Sequence, residues 1–240
     1  LAHKEFRAAL RKLLPISEII KNKLFESAEP ATSFFSSVFE ELKLTNQLSD
    51  SNFEEGIGAL RRLGFGWDKQ GRLNFEGERV RFNWIVSNSK ISVEAVENLA
   101  TGFERAGIRV NILPQEWSIY MSNSKKGNFD FALSSWVGFT GGEMLQFALH
   151  SKNTPPQGGN RGRYQNTSFD EVIDLAMKET VEDKRTSLYK RCLEILQQDN
   201  AYFYLWHPYV IWLGRDCLKN VKPYANGSYL ALLGIINGCP

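Results

Sequence analysis

Apolar residues near the start of the chain recur at helical spacing, with Phe6, Ala9, Leu10, Leu13 and Leu14 forming one stripe. Pro15 cannot donate the backbone bond a helix interior needs, so a break is expected at Leu14, with a second helix over Ser17–Phe25. Glu29–Thr32 reads as a turn. Phe53, Ile57, Leu60 and Leu63 share a face of a further helix over Ser51–Leu63, which Gly64, Gly66 and Gly71 bring to an end.

The period then changes from helical to alternating. Val80, Phe82, Trp84 and Val86 interleave with Arg79, Arg81 and Asn83, which is a strand signal over Arg79–Ser87. Ser92 is placed to cap the next helix, whose inward positions are Val93, Val96, Leu99, Ala100 and Phe103. Ile108–Leu113 is a second strand, Trp117–Ser124 a short helix with Trp117 and Tyr120 expected in the core, and Phe129–Trp136 a third strand. Strand and helix in strict alternation predict an α/β unit with right-handed crossovers and a parallel core.

Gly138–Gly162 is rich in glycine and proline, with room for a short helix over Met144–His150. Ser168 and Glu171 stand at capping-box spacing ahead of a helix carrying Val172, Ile173, Ala176 and Met177. Another helix runs over Asp183–Gln198, and the aromatic, β-branched run Tyr202–Leu213 reads as a strand that Pro208 confines to an edge or a bulge.

Composition narrows the function classes. With 29 Lys and Arg against 27 Asp and Glu, the net charge is +2, without the basic excess that a nucleic-acid binder uses to neutralise phosphates. No run approaches the roughly eighteen apolar residues that span a bilayer. The chain opens Leu1-Ala2-His3-Lys4-Glu5, with neither an initiator Met nor an apolar leader, and so reads as one that starts partway through its gene product. Cys192 falls on the apolar side of its helix as a small buried hydrophobe. Cys217 and Cys239 could pair in an oxidising compartment, but spacing alone does not bring their Cα atoms together, and the expectation leaves them unpaired.

Several pieces come in a recognisable order: Phe6-Arg7-Ala8-Ala9-Leu10; Gly107-Ile108-Arg109-Val110 followed by Trp117 and Tyr120; Gly127-Asn128-Phe129-Asp130 before a strand ending at Trp136; then Tyr164, Asn166, Phe169, Asp170 and Ala176; and finally Asp183, Arg185, Leu188 and Tyr189. In that order and spacing the chain resembles the extracellular solute-binding proteins of family 5, the oligopeptide-, dipeptide- and nickel-binding group of ABC transporters. The resemblance implies a periplasmic-binding-protein-like lobe, a mixed α/β sheet flanked by helices. Residues 1–213 would form the second, C-terminal ligand-binding lobe, and 214–240 a return segment toward the N-terminal lobe of the same protein. It further implies a peptide or other small solute and a membrane permease as partners, and a periplasmic or extracellular location with a lipoprotein anchor as an option. An isolated lobe would expose an apolar patch where the other lobe packs, around Trp206, Tyr209 and Trp212.

Trp136 leads the candidate ligand-binding residues, because ligands of open α/β sheets sit beyond the carboxyl ends of strands. Ser134, Ser135, Val137 and Gly138 would offer backbone groups along the same rim, with Phe139 and Thr140 beside them and Arg161 as a cation from the following loop. The chain departs from the family at Phe139, where peptide binders carry an Asp for the ligand's α-ammonium, and at Gly142-Glu143, where they carry Asp-Pro. That loss of a charge-assisted anchor leaves a blocked, neutral or non-peptidic solute open.

No catalytic residue, metal site or cofactor is expected. His3, His150 and His207 lie on separate elements, and no nucleophile or phosphate-loop motif occurs. The competing readings are an effector-sensing domain of a regulator built on the same fold and, more distantly, a hydrolase.

Overall fold

The computed structural model describes residues 1–44, 51–136, 141–211, 213–221 and 229–239. Helices α1 (Lys4–Leu13) and α2 (Ile16–Asn22) flank Pro15 as expected. Strand β1 (Ala28–Pro30) replaces the expected turn, because it has a partner far along the chain. Helix α3 (Phe53–Arg62) follows, capped by the Asn52 side chain, which accepts from the Glu55 N–H at 3.1 Å.

A small antiparallel meander of β2 (Gly66–Trp67), β3 (Leu73–Phe75) and β4 (Glu78–Arg79) precedes β5 (Arg81–Ser87). Helix α4 (Lys90–Arg105) is capped three residues before the predicted position: Ser89, not Ser92, is the N-cap, accepting from the Ser92 N–H at 3.2 Å. Strand β6 (Arg109–Gln115), helix α5 (Trp117–Lys126) and strand β7 (Phe131–Ala132) complete a three-stranded sheet in the order β6-β5-β7. Both pairings are parallel, as predicted. The third strand is far shorter than expected, and Trp136 lies four residues beyond its end.

Helices α6 (Met144–Leu149), α7 (Thr167–Lys178) and α8 (Glu182–Asp199) build the other half. The cap of α7 is Asn166, which accepts from the Phe169 N–H at 3.0 Å, so the Ser168 capping box does not form. Strand β8 (Trp206–Pro208) pairs antiparallel with β1, and β9 (Leu218–Lys219) with β10 (Ile236–Asn237). The aromatic run therefore contributes three residues to a ladder and joins neither the parallel sheet nor a long strand.

Two apolar cores result. The first gathers α1–α4 against one face of β5 and β6, through Leu10, Leu14, Leu60, Phe82, Trp84, Leu99, Phe103 and Ile108. Its elements touch closely: a Cβ on Gly102 of α4 would lie 2.0 Å from the Leu13 carbonyl oxygen. The second packs α6, α7 and α8 around Leu145, Leu149, Phe169, Ile173, Cys192 and Leu196, with Phe34 and Phe35. Cys192 is fully buried as expected, and burial pushes its thiol up to about 12.

The run before β8 runs between these cores. Phe203 and Leu205 pack on the first, whereas Tyr202 and Tyr204 pack on the second. Side chains of an extended segment point alternately to opposite sides, so a segment buried on both faces needs an unbroken apolar sequence. That accounts for the aromatic density without a long ladder. Arg7 also ties the halves: its guanidinium donates to the Asp199 and Asn200 carbonyls at 2.5 and 3.1 Å. A cation there answers the negative end of the α8 dipole.

Two further expectations change. Cys217 and Cys239 form a disulfide, with Cα atoms 4.9 Å apart; the pairing of β9 with β10 brings them together, which spacing alone could not show. Trp117 is 61% exposed, while Tyr120 on the same helix is buried, so only one of the two joins the core. Beyond β8, Tyr209, Val210, Ile211 and Leu213 are exposed, the last at 94%, as are Leu232, Leu233 and Ile236. The expected apolar surface is thus present around Tyr209, although Trp206 is half-buried and Trp212 lies outside the described residues. No helix among the described residues is long and apolar enough to cross a membrane.

Candidate functional site

Trp136 stands past the carboxyl end of β7, where the chain leaves the sheet. Its indole is half-buried and meets the Phe147 ring edge-on, with centroids 6.1 Å apart. Phe147 projects from α6 and remains 48% exposed, so the aromatic pair is open on one side. The Arg161 guanidinium lies over the indole, 5.2 Å from its centroid. A cation over Trp is attracted to the ring quadrupole, and among the described residues no carboxylate pairs with Arg161.

The loop that carries Arg161 is built by two neighbours. A Cβ on Gly159 would lie 2.7 Å from both the Trp136 and Phe147 rings, so the absence of a side chain there lets the backbone pass under the aromatic pair. Asn160 is fully buried. Its amide donates to the carbonyls of Leu149, His150 and Tyr164 at 3.2, 3.2 and 2.8 Å and accepts from the Tyr164 N–H at 2.9 Å. One side chain thereby satisfies the backbone of a turn that no ladder covers.

Below Asn160, His150 is 4% exposed. Its Nδ1 accepts from the Lys152 N–H at 3.0 Å, which leaves the proton on Nε2 to donate toward Asp174, 3.3 Å away. Asp170 accepts from the Ser151 N–H at 3.0 Å. The Tyr164 hydroxyl donates to Asp199 at 2.6 Å, and burial together with that carboxylate pushes the phenol upward. His150, Asp170 and Tyr164 thus brace the loop from beneath.

Two phenols border the cation. Tyr120 donates to the Leu133 carbonyl at 2.5 Å and lies 2.7 Å from the Ser134 hydroxyl. Burial raises Tyr120 and takes Tyr202 up to about 12, while the Arg161 charge works in the opposite direction on both. Both hydroxyls therefore remain protonated at neutral pH.

The predicted residues fare differently. Trp136 and Arg161 meet; Ser134 and Ser135 are exposed on the rim leading to them. Val137, Gly138, Phe139 and Thr140 lie outside the described residues. Arg163, in the same loop, donates to the Lys125 and Lys126 carbonyls at 3.3 and 3.0 Å and so closes the end of α5. Asp130 accepts from the Asn83 N–H at 2.7 Å, an anchor between loop and strand. Sequence reasoning missed Phe147, Gly159 and Asn160; the Gly158-Gly159-Asn160 run inside a loop was the signal available. Among the described residues no three His, Cys, Asp or Glu side chains gather in a way that could hold a metal ion.

Comparison with known proteins places the chain among binding proteins of similar sequence and fold. The chain is 34% identical over 120 residues to di/tripeptide-binding protein 2 of Pseudomonas aeruginosa, covering 49% of this chain and 22% of that protein. It is 26% identical over 239 residues to the periplasmic oligopeptide-binding protein OppA of Salmonella typhimurium, covering 93% of this chain and 41% of the relative. The chain thus spans less than half the length of these curated relatives. An oligopeptide-binding protein from Thermus thermophilus, solved with a pentapeptide, shares the fold with a TM-score of 0.80 at 18% identity, over 95% of this chain and 41% of that one. Residues 1–156, more than half of the chain, match the model for bacterial extracellular solute-binding proteins, family 5 middle, and the chain belongs to that family.

Proposed function

We propose that this chain is the second lobe of the solute-binding component of an ABC-type importer, with residues 1–213 as the lobe and 214–240 as the segment returning toward the other lobe. The solute is a peptide or peptide-like molecule held against Trp136, with Arg161 and Phe147 beside it and Ser135 on the rim. Closure of two lobes on the solute hides it from water and forms the surface that a membrane permease reads. The role is binding and not catalysis.

The observation that carries this reading is the open aromatic pair at the end of the parallel sheet, with a guanidinium over its indole. Three others support it. The matched relatives are named for binding di-, tri- and oligopeptides. The exposed apolar residues Tyr209, Val210, Ile211 and Leu213 suit a junction with the first lobe. The Cys217–Cys239 disulfide suits an oxidising compartment such as the periplasm.

The test is a thermal-shift screen of the full-length gene product against free peptides, N-blocked peptides and metal chelates, repeated with Trp136→Ala. A stabilising solute whose effect falls by about tenfold or more in affinity in the variant is expected, since large aromatic anchors dominate binding energy. A solute bound equally well by Trp136→Ala would remove Trp136 from the site. The absence of a hit in every class would leave the family standing and overturn the transport role.

A further inference from the structure

The opposite ends of the parallel strands carry a second concavity, of about 440 Å³, lined by Gln70, Arg72, Arg79, Glu104, Ile108 and Arg109 among others. Strand β5 is seven residues long, which at about 3.3 Å per residue puts this hollow on the order of 20 Å from the Trp136 end of the sheet. Arginines from three different elements line it: Arg72 of the β2–β3 loop, Arg79 of β4 and Arg109 of β6.

Only one of them is answered. Arg72 pairs with Asp68 at 2.6 Å and donates to the Gln70 side-chain Oε1 at 2.9 Å. Among the described residues no carboxylate pairs with Arg79 or Arg109. Arg109 donates from Nε to the Asn111 side chain at 3.3 Å, a neutral partner that leaves its charge in place. Strand register places a further arginine beside the lining, because Arg81 on β5 stands directly opposite Arg109 on β6. Both side chains leave the same face of the sheet, and like charges directly opposite destabilise a strand pair. Among the described residues Glu104 is the one carboxylate in the lining, so the hollow keeps an excess of positive charge.

Guanidinium forks from separate elements suit an anion with several acceptor oxygens, since each fork can take two of them. A monocarboxylate has oxygens for one fork; a tetrahedral dianion has enough for two or three. We propose that this hollow binds a phosphate-class anion, supplied either as free phosphate or as the headgroup of an anionic phospholipid. Bound there, the anion relieves the repulsion between Arg81 and Arg109 and clamps the β2–β4 meander to the start of the parallel sheet.

The experiment uses the full-length protein, with Arg79→Gln and Arg109→Gln made singly on exposed strand positions. Inorganic phosphate is titrated calorimetrically at fixed ionic strength, alongside co-sedimentation with vesicles of phosphatidylglycerol in phosphatidylcholine and of phosphatidylcholine alone. Saturable phosphate binding weakened about tenfold in either variant is expected, the loss of one charge-assisted fork. Phosphate binding without vesicle binding identifies the free anion; binding to the anionic vesicles that phosphate displaces and both variants weaken identifies the headgroup. The proposal is overturned if neither probe binds at millimolar concentration, or if binding survives both variants unchanged. Solute binding at the distant Trp136 end should persist in both variants, so this result and the transport reading stand or fall separately.

Discussion

The two cores of this molecule solve different problems. The first is a sheet and its helices locked by large apolar side chains: Phe103 alone sits within about 6.0 Å, ring to ring, of Phe82, Trp84 and Phe131. The second is helical, and its edge toward the solute site is wired by polar groups, with Asn160, His150, Tyr164 and Asp199 holding loop to helix. Trp136 packs on the second core, not on the sheet from which it emerges. Hence one core supplies the platform and the other sets the position of the groups that meet a solute. Stability and binding should come apart when each is perturbed.

Phe103→Ala gives the largest expected effect. The side chain is fully buried at the centre of the first core, so its loss should cost about 3–5 kcal/mol of stability through lost transfer energy and the cavity left behind. Urea unfolding measures it. Solute affinity, measured below the new transition, should stay within about twofold of the parent, as expected for a site well separated from the change. A large fall in affinity with intact folding would show that the sheet core itself shapes the site.

Asn160→Ala should do the reverse in proportion. It leaves the Leu149 and Tyr164 carbonyls and the Tyr164 N–H without the Asn160 partner, while the His150 carbonyl keeps the Asn153 N–H, for a cost of about 2–4 kcal/mol in total. The loop it braces carries Arg161, so solute affinity should fall together with stability. If unfolding shifts and affinity does not, Arg161 is positioned by something other than this turn.

The same contrast explains what could be read from the chain beforehand. The sheet core was legible because alternation in Arg79–Ser87 and helical spacing in Val96, Leu99 and Phe103 report burial directly. Trp136 was legible from its place after a strand, though that strand proved to be two residues long. Asn160 and Gly159 were not, because their roles depend on carbonyls and rings brought in from α6 and from the stretch after β7, and no local period records such contacts. The run Tyr202–Leu205 misled for a related reason: alternation says that successive residues face opposite ways, but not that two different cores lie on either side. Cap positions slipped by two or three residues at Ser92 and Ser168, where Ser89 and Asn166 offered equally good capping side chains further upstream.

The seam between the cores gives the smallest and most specific prediction. His207 on β8 faces Glu29 across the β1 pairing, and burial lowers its pKa from the ordinary 6.5, against the smaller upward pull of Glu29 and of backbone groups at Ser33 and Phe35. A histidine that is harder to protonate when folded gives the unfolded chain more bound protons between the two values. Stability then falls as pH drops through about 6.5 and levels off below the folded value. His207→Gln removes this proton linkage while keeping a polar side chain in the seam. Urea midpoints of parent and variant, compared at successive pH values from 8 to 5, should therefore shift in the variant's favour on acidification, whatever constant offset the substitution adds at pH 8. Parallel midpoints over that range would mean that the imidazole titrates normally and that the seam between the two cores is open to water.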